Sequence, residues 1–262
     1  VLYYISPKFW AWNEKRVEKV KKFVDRMYII FPFETVFYNK HGIDVEYRGN
    51  PVVDEIKNRK GSMPSEEELR KEFGLDDKPV IALLAGSRRH EVESILPQMV
   101  KVLNNFPDHQ FVLACVKNLP QDLYKRIIGD HPVKLVTDKT YEVLTLSEAA
   151  LVASGTATLE TALFGVPQVV CYKGDFFSML IAWMVIKVKY ISLVNLILDR
   201  EAVKEVLGYD VNKRNITKEL KSIIMGGQKR DRMLADYSLL KEKLGPAGAS
   251  ARVAADILNH LV

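Results

Sequence analysis

A chain of 262 residues, 48% hydrophobic and 27% charged, carries enough apolar material for one large domain or two small ones. Its net charge of +5 and pI near 9.0 suit phosphorylated ligands or an anionic membrane surface, and the lack of a dense Lys/Arg run interleaved with aromatics argues against nucleic acid. Cys115 and Cys171 stand alone in apolar runs, with no CxxC or Cys/His cluster, which argues against a disulfide framework or structural zinc and predicts buried free thiols.

In chain order, Val1–Ile5 reads as a strand, although Val1 is not an initiator methionine, so the chain is expected to start downstream of the gene product's first residue. A basic amphipathic stretch follows from Trp12 to Phe23, then a strand at Met27–Ile30, a helix opened by Pro32-Phe33-Glu34, and a short strand at Val45–Arg48. Gly49-Asn50-Pro51 punctuates the chain and is expected to mark a boundary or hinge. Residues 57–78 are polar, with a helical segment at Glu66–Phe73.

A regular alternation then begins. Strands are predicted at Val80–Ala85, Gln110–Val116, Val133–Val136, Ala149–Ala153 and Gln168–Cys171. Helices are predicted at Glu91–Asn105, Gln121–Ile128, Tyr141–Ser147, Ala157–Phe164 and Phe176–Lys187. Short apolar strands alternating with helices mean βαβ units and a parallel sheet covered on both faces. From Asp199 onward the pattern reads as helical only, ending in a helix from Gly248 to Leu261. The predicted class is α/β, with two Rossmann-like, doubly wound parallel-sheet domains. Residues 1–50 would be an incomplete remnant of the first, 51–245 the second, and 246–262 a last helix packing back on the first.

Two strings carry the chemistry. Gly86-Ser87-Arg88-Arg89-His90-Glu91 and Ser154-Gly155-Thr156-Ala157-Thr158-Leu159-Glu160 each follow a predicted strand and open a predicted helix. A strand, a small-residue turn and a helix N-terminus leave backbone N–H groups and the positive helix end facing an anion. In the first string, Gly86 and Ser87 make the turn, Arg88 and Arg89 supply forked cations for phosphate oxygens, and Glu91 either orients an arginine or complements the helix dipole. A solvent-facing loop is the competing reading. In the second, Gly155 permits close approach to a phosphate, and the Ser154, Thr156 and Thr158 hydroxyls can donate to its oxygens. Glu160, one turn after Thr156, offers two acceptors to the cis-diol of a ribose. An ordinary capped helix start is the alternative here. Neither the P-loop spacing nor Gly-x-Gly-x-x-Gly is present. Position 94 is Ser94, so His90-Glu91 does not form a zinc motif.

The stretch from Phe176 to Leu198 is rich in large apolar residues, but its longest charge-free run is eleven residues, too short to span a bilayer. It reads either as a buried helix or as an interfacial surface in which Phe176, Phe177, Trp183, Met184 and Lys187 meet lipid. Asn195 is an isolated amide in apolar surroundings and needs a partner if buried.

With these residues in view, the chain resembles the lipid-A-disaccharide synthase family of GT-B glycosyltransferases along nearly its whole length. The resemblance rests on Tyr4-Ile5-Ser6-Pro7-x-x-Trp10-Ala11-Trp12, Arg16, Pro32-Phe33-Glu34 and Gly49-Asn50-Pro51, together with the two strings above. It continues through Tyr172-Lys173, Tyr190-x-Ser192-Leu193-x-Asn195 and Arg200-Glu201-x-Val203-Lys204-Glu205. The resemblance implies an inverting transfer of 2,3-diacylglucosamine from its UDP derivative to 2,3-diacylglucosamine 1-phosphate, with no cofactor and no required metal. It also implies a cytoplasmic enzyme peripheral on the inner face of the bacterial inner membrane, an anionic membrane surface as partner, and a possible homodimer.

On that resemblance Gly86, Ser87, Arg88, Glu91, Ser154, Gly155, Thr156, Glu160 and Asn195 would bind the UDP-sugar, with Arg88 and the Gly155/Thr156 helix start neutralising the leaving diphosphate. No catalytic residue is assigned. The family's proposed acidic base precedes the Ser-Pro-x-x-Trp string, and Glu34 reads better as a helix N-terminal acid than as a substitute. The expectation is a chain that binds UDP with little or no turnover. Gly208 stands where many relatives carry a glutamine, which removes one polar contact. A UDP-sugar 2-epimerase-like isomerase and a non-catalytic UDP-sugar-binding fragment are the alternatives.

Overall fold

The computed structural model describes residues 1–12, 14–173 and 189–261. They form two compact units: residues 1–61 with 189 and 238–261, and residues 62–173 with 190–237.

The first unit holds a three-stranded parallel sheet in the order β1 (Leu2–Tyr4), β2 (Arg26–Ile29), β3 (Glu46–Tyr47). Val20, Met27, Ile29, Tyr38 and Val45 pack into its core. Gly49-Asn50-Pro51 does more here than punctuate, because it starts a helix, Pro51–Lys60, that sequence reading did not foresee. Asn50 is its N-cap: the side-chain oxygen accepts from the Val52 N–H at 2.9 Å, while the amide nitrogen donates 2.8 Å to the Ile30 carbonyl. Pro51 occupies the first turn, where its missing N–H costs nothing. Asp54 on this helix accepts from the N–H groups of Gly248, Ala249 and Ser250 and so caps the last helix, Ala249–Leu261. Asp256 of that last helix lies 3.0 Å from Arg26 and 3.3 Å from Arg48.

The second unit is a six-stranded, all-parallel sheet. Its strands are β4 (Val80–Leu84), β5 (Gln110–Cys115), β6 (Val133–Thr137), β7 (Ser147–Ala153), β8 (Gln168–Tyr172) and β9 (Lys204–Leu207), in the order β6-β5-β4-β7-β8-β9. β4 is buried along its whole length, as apolar runs in a sheet covered on both faces must be. The helical-only reading beyond Asp199 is corrected here. Residues 204–207 are the edge strand β9, paired in parallel with β8. Four edge residues, two polar followed by two apolar, lack the alternation that would announce a strand. The helix predicted to Asn105 ends at Val100 and is followed by a 3-10 turn at Leu103–Asn105. Cys115 and Cys171 are free and buried, as composition predicted.

Candidate functional site

The two strings leave neighbouring strands. β4 ends at Leu84 and β7 at Ala153, and the two pair in parallel with Leu84 opposite Val152. Strand order runs outward from this pair in both directions, β5 and β6 on one side, β8 and β9 on the other. Such a reversal sends the two following connections to opposite faces and leaves a crevice at the carboxyl ends of the strands, where open α/β sheets bind ligands. Residues about 70 apart in sequence are thereby brought side by side.

After β4 the chain turns at Gly86, whose φ of +105° an L side chain rarely adopts. A Cβ there would also stand 2.5 Å from the Glu91 Oε2, so only glycine lets that carboxylate fold back. Glu91 Oε2 accepts from the Ser87 N–H at 3.0 Å and the Arg88 N–H at 3.2 Å, and Glu91 Oε1 lies 3.6 Å from the Arg88 guanidinium. The Ser87 and Arg88 amides are thus held within the loop, and Glu91 lies where it can orient Arg88, one of the two readings its position allowed. The carboxylate at the third helical position already occupies the anion cradle of the helix Arg89–Val100. What this loop offers an anion is the Arg88 side chain, 74% exposed and oriented by Glu91. Arg89 pairs instead with Glu93 at 3.5 Å.

After β7 the arrangement is the opposite. Gly155 is the N-cap of the helix Thr156–Phe164, with φ +150° and no side-chain cap. Among the described residues, a Cβ at Gly155 would meet nothing within 4 Å, so they leave the space before this helix start open. Gly155 and Thr156 are both exposed. Uncapped first-turn N–H groups and the positive helix end therefore face that space.

Two of the three hydroxyls assigned to this turn do other work. The Thr158 hydroxyl is buried and donates to the Gly155 carbonyl at 2.8 Å; that of Ser154 donates to the Ile191 carbonyl at 3.3 Å. Thr156 is the hydroxyl on the open side. Glu160, one turn into the helix, is half-buried, and its Oε1 accepts from the Tyr141 hydroxyl at 3.0 Å. Tyr141 is a residue the sequence reading missed; only tertiary packing brings it to Glu160.

Asn195 is also placed differently from the expectation. It is fully buried, and its amide is saturated. Oδ1 accepts from Ala202 and Val203 N–H at 2.8 and 2.9 Å, while Nδ2 donates to the Val203 carbonyl and to Glu205 Oε1, each at 2.9 Å. With two donors and two acceptors spent, it shapes the site rather than touching a ligand. Gly208 follows β9 with φ +57°, a left-handed position that glycine adopts without strain.

The aromatic string belongs to the first unit, and its residues converge on one acid. Ser6 Oγ donates to Glu34 Oε1 at 2.7 Å and Trp10 Nε1 to the same oxygen at 3.0 Å. The Ile30 and Phe31 N–H groups donate to Glu34 Oε2 at 3.2 and 3.0 Å. Glu34 is 0% exposed. Burial pushes its carboxyl pKa up, against the four donors that favour the ionised form. Ile5, a β-branched residue at φ +67°, delivers Ser6 into this cluster.

Phe176, Phe177, Trp183, Met184 and Lys187 lie outside the described residues. Among the described residues no helix is long and apolar enough to cross a membrane, and no group of three or more His, Cys, Asp or Glu could hold a metal ion.

In fold, the chain is similar to the S. aureus MnaA–UDP co-structure, with TM-score 0.65, 18% identity, and coverage of 93% of this chain and 61% of that one. It is also similar to UDP-GlcNAc 2-epimerase from Neisseria meningitidis bound to UDP-GlcNAc, with TM-score 0.56, 13% identity, and coverage of 99% and 75%. At such identities the likeness is one of architecture. Sequence relatives carry more. The lipid-A-disaccharide synthase of Syntrophus aciditrophicus is 38% identical over 97% of this chain, and that of Myxococcus xanthus 35% identical over all of it. The chain spans 67% and 69% of those two relatives. The family model described as lipid-A-disaccharide synthetase matches residues 1–255, which takes in the Glu34 cluster and both strings of the crevice. The chain belongs to the lipid-A-disaccharide synthase family of glycosyltransferases.

Proposed function

We propose that the crevice between β4 and β7 holds the UDP part of UDP-2,3-diacylglucosamine, and that the sugar is transferred to 2,3-diacylglucosamine 1-phosphate with inversion. The observation that carries this reading is the juxtaposition, at the switch point, of an open glycine-capped helix start with the exposed guanidinium of Arg88. An acceptor hydroxyl attacks the anomeric carbon and gives up its proton to water, the bond to the diphosphate breaks, and UDP leaves with the electron pair. Charge grows on the diphosphate oxygens as that bond breaks. Donors aimed at it, the Thr156 helix start and Arg88, lower the barrier by stabilising the departing anion. Glu160, steadied by Tyr141, is positioned one turn along to accept from the ribose hydroxyls.

The acylated substrates and the net charge of +5 support a peripheral location on an anionic membrane, at the cytoplasmic face of the inner membrane. The apolar stretch from Phe176 to Lys187 would supply the contact. Calorimetric titration of the 262-residue chain with UDP tests the site. Binding is expected, and Arg88→Ala is expected to weaken it about tenfold. Absence of UDP binding, or an Arg88→Ala variant that binds UDP as tightly as the parent, overturns the reading.

A further inference from the structure

Glu205 matched the family string at residues 200–205 without any role attached to it. Its position in the fold supplies one. It stands on the edge strand β9, opposite Val170 of β8, and its carboxylate gathers three donors from a segment ten to fourteen residues earlier. Oε1 accepts from the Ser192 N–H at 2.9 Å and from Asn195 Nδ2 at 2.9 Å. The Ile191 N–H lies 3.2 Å from Oε1 and 3.1 Å from Oε2. Asn195 extends the clamp, because its other side-chain hydrogen bonds all go to the Ala202–Val203 backbone that leads into β9. The result is a closed circuit tying the segment at 191–195 to the edge strand.

That segment in turn reaches the crevice. The Ile191 carbonyl, whose own N–H is held by Glu205, accepts the Ser154 hydroxyl at 3.3 Å. Ser154 immediately precedes Gly155, the open N-cap of the helix at the proposed diphosphate position. A carboxylate accepting backbone N–H groups makes bonds roughly twice as strong as neutral ones. Glu205 therefore sets where Ile191 sits, Ile191 sets where Ser154 sits, and the turn follows.

We propose that Glu205 is a positioning residue of the UDP site, acting through Ile191 and Ser154 to hold the Gly155–Thr156 helix start in its anion-binding geometry. This deepens the reading above and rests on it. A double-mutant cycle on UDP affinity tests it, using Glu205→Gln and Ser154→Ala in the 262-residue chain, with Arg88→Ala measured alongside. Glutamine keeps the size of the side chain but loses the second acceptor oxygen and the charge.

The expected results are a loss of about tenfold in UDP affinity for Glu205→Gln and about fivefold for Ser154→Ala. The double variant should be no weaker than Glu205→Gln alone, since both changes cut one chain of contacts. Multiplicative losses in the double variant overturn the proposal, because a merely structural role for Glu205 would add to the Ser154 effect. A folded Glu205→Gln chain with unchanged UDP affinity overturns it as well. Where Glu205→Gln does not fold, Glu205→Asp, which keeps the charge and shortens the reach by one methylene, takes its place in the same cycle under the same criteria. Failure of the parent chain to bind UDP, or no effect of Arg88→Ala, instead removes the site on which the proposal stands.

Discussion

Single side chains in this molecule matter most where they are buried and saturated with partners. Glu34 accepts four hydrogen bonds with no solvent access. Replacing it by alanine leaves the Ser6, Trp10, Ile30 and Phe31 donors without their acceptor, which should destabilise the first unit by roughly 3 kcal/mol in denaturant unfolding. Its raised pKa has a definite sign. The unfolded chain releases this proton first as pH rises from about 4.5, while the folded chain still holds it, so the favourable contribution is complete below that value. It is lost as pH climbs through the folded pKa. Unfolding free energies at acid and neutral pH should therefore differ in this sense between the parent and Glu34→Gln, whose side chain does not titrate. The aromatic string was legible in the sequence as a family signature. That its serine and tryptophan serve one glutamate was not, because residues 24 to 28 positions apart meet only after β2 and the helix Glu34–Lys40 have folded.

Elements are joined by caps that come from distant parts of the chain. The last helix starts at Ala249 with its first N–H groups held by Asp54. Burial opposes ionisation of this carboxyl, but the backbone donors from Ser250, Gly248 and Ala249 outweigh it and hold the pKa below the usual aspartate value of 3.8. A depressed pKa contributes stability above the unfolded value and loses it as pH falls through the folded one. Asp54→Ala should cost about 1 kcal/mol, as loss of an N-cap does, and hydrogen exchange should report faster opening of the amides at 249–253. Parent protein brought well below pH 3.8 should open the same amides, and the variant should show no further change. Helix propensity marked this last helix in the sequence, whereas its cap, almost two hundred residues away, left no local trace. β9 was hidden for a similar reason. An edge strand of four residues draws its stability from the β8 ladder rather than from its own pattern.

For the whole molecule, the six-stranded sheet keeps both thiols out of reach. Burial pushes Cys115 and Cys171 up to about 12, so almost no thiolate exists at neutral pH. Alkylation by a maleimide should accordingly be slow in native protein and should follow unfolding of the second unit as denaturant is added. Rapid labelling under native conditions would show that the sheet opens far more readily than its burial implies. The alternation of apolar strands with helices, the class of the second unit and the strand–turn–helix character of both strings were all determined by sequence, since period, turn residues and capping are local properties. Which donors remain open to a ligand was decided by tertiary structure alone. Two look-alike helix starts lie side by side at the switch point. At one, Glu91 folds back over Gly86 to occupy the amides; at the other, Gly155 leaves them facing space that is open among the described residues. Glu91 stands at a capping spacing visible in the sequence, but that its carboxylate turns onto the loop amides, and that the Ser154 hydroxyl spends itself on the Ile191 carbonyl 37 residues away, is decided by packing in three dimensions.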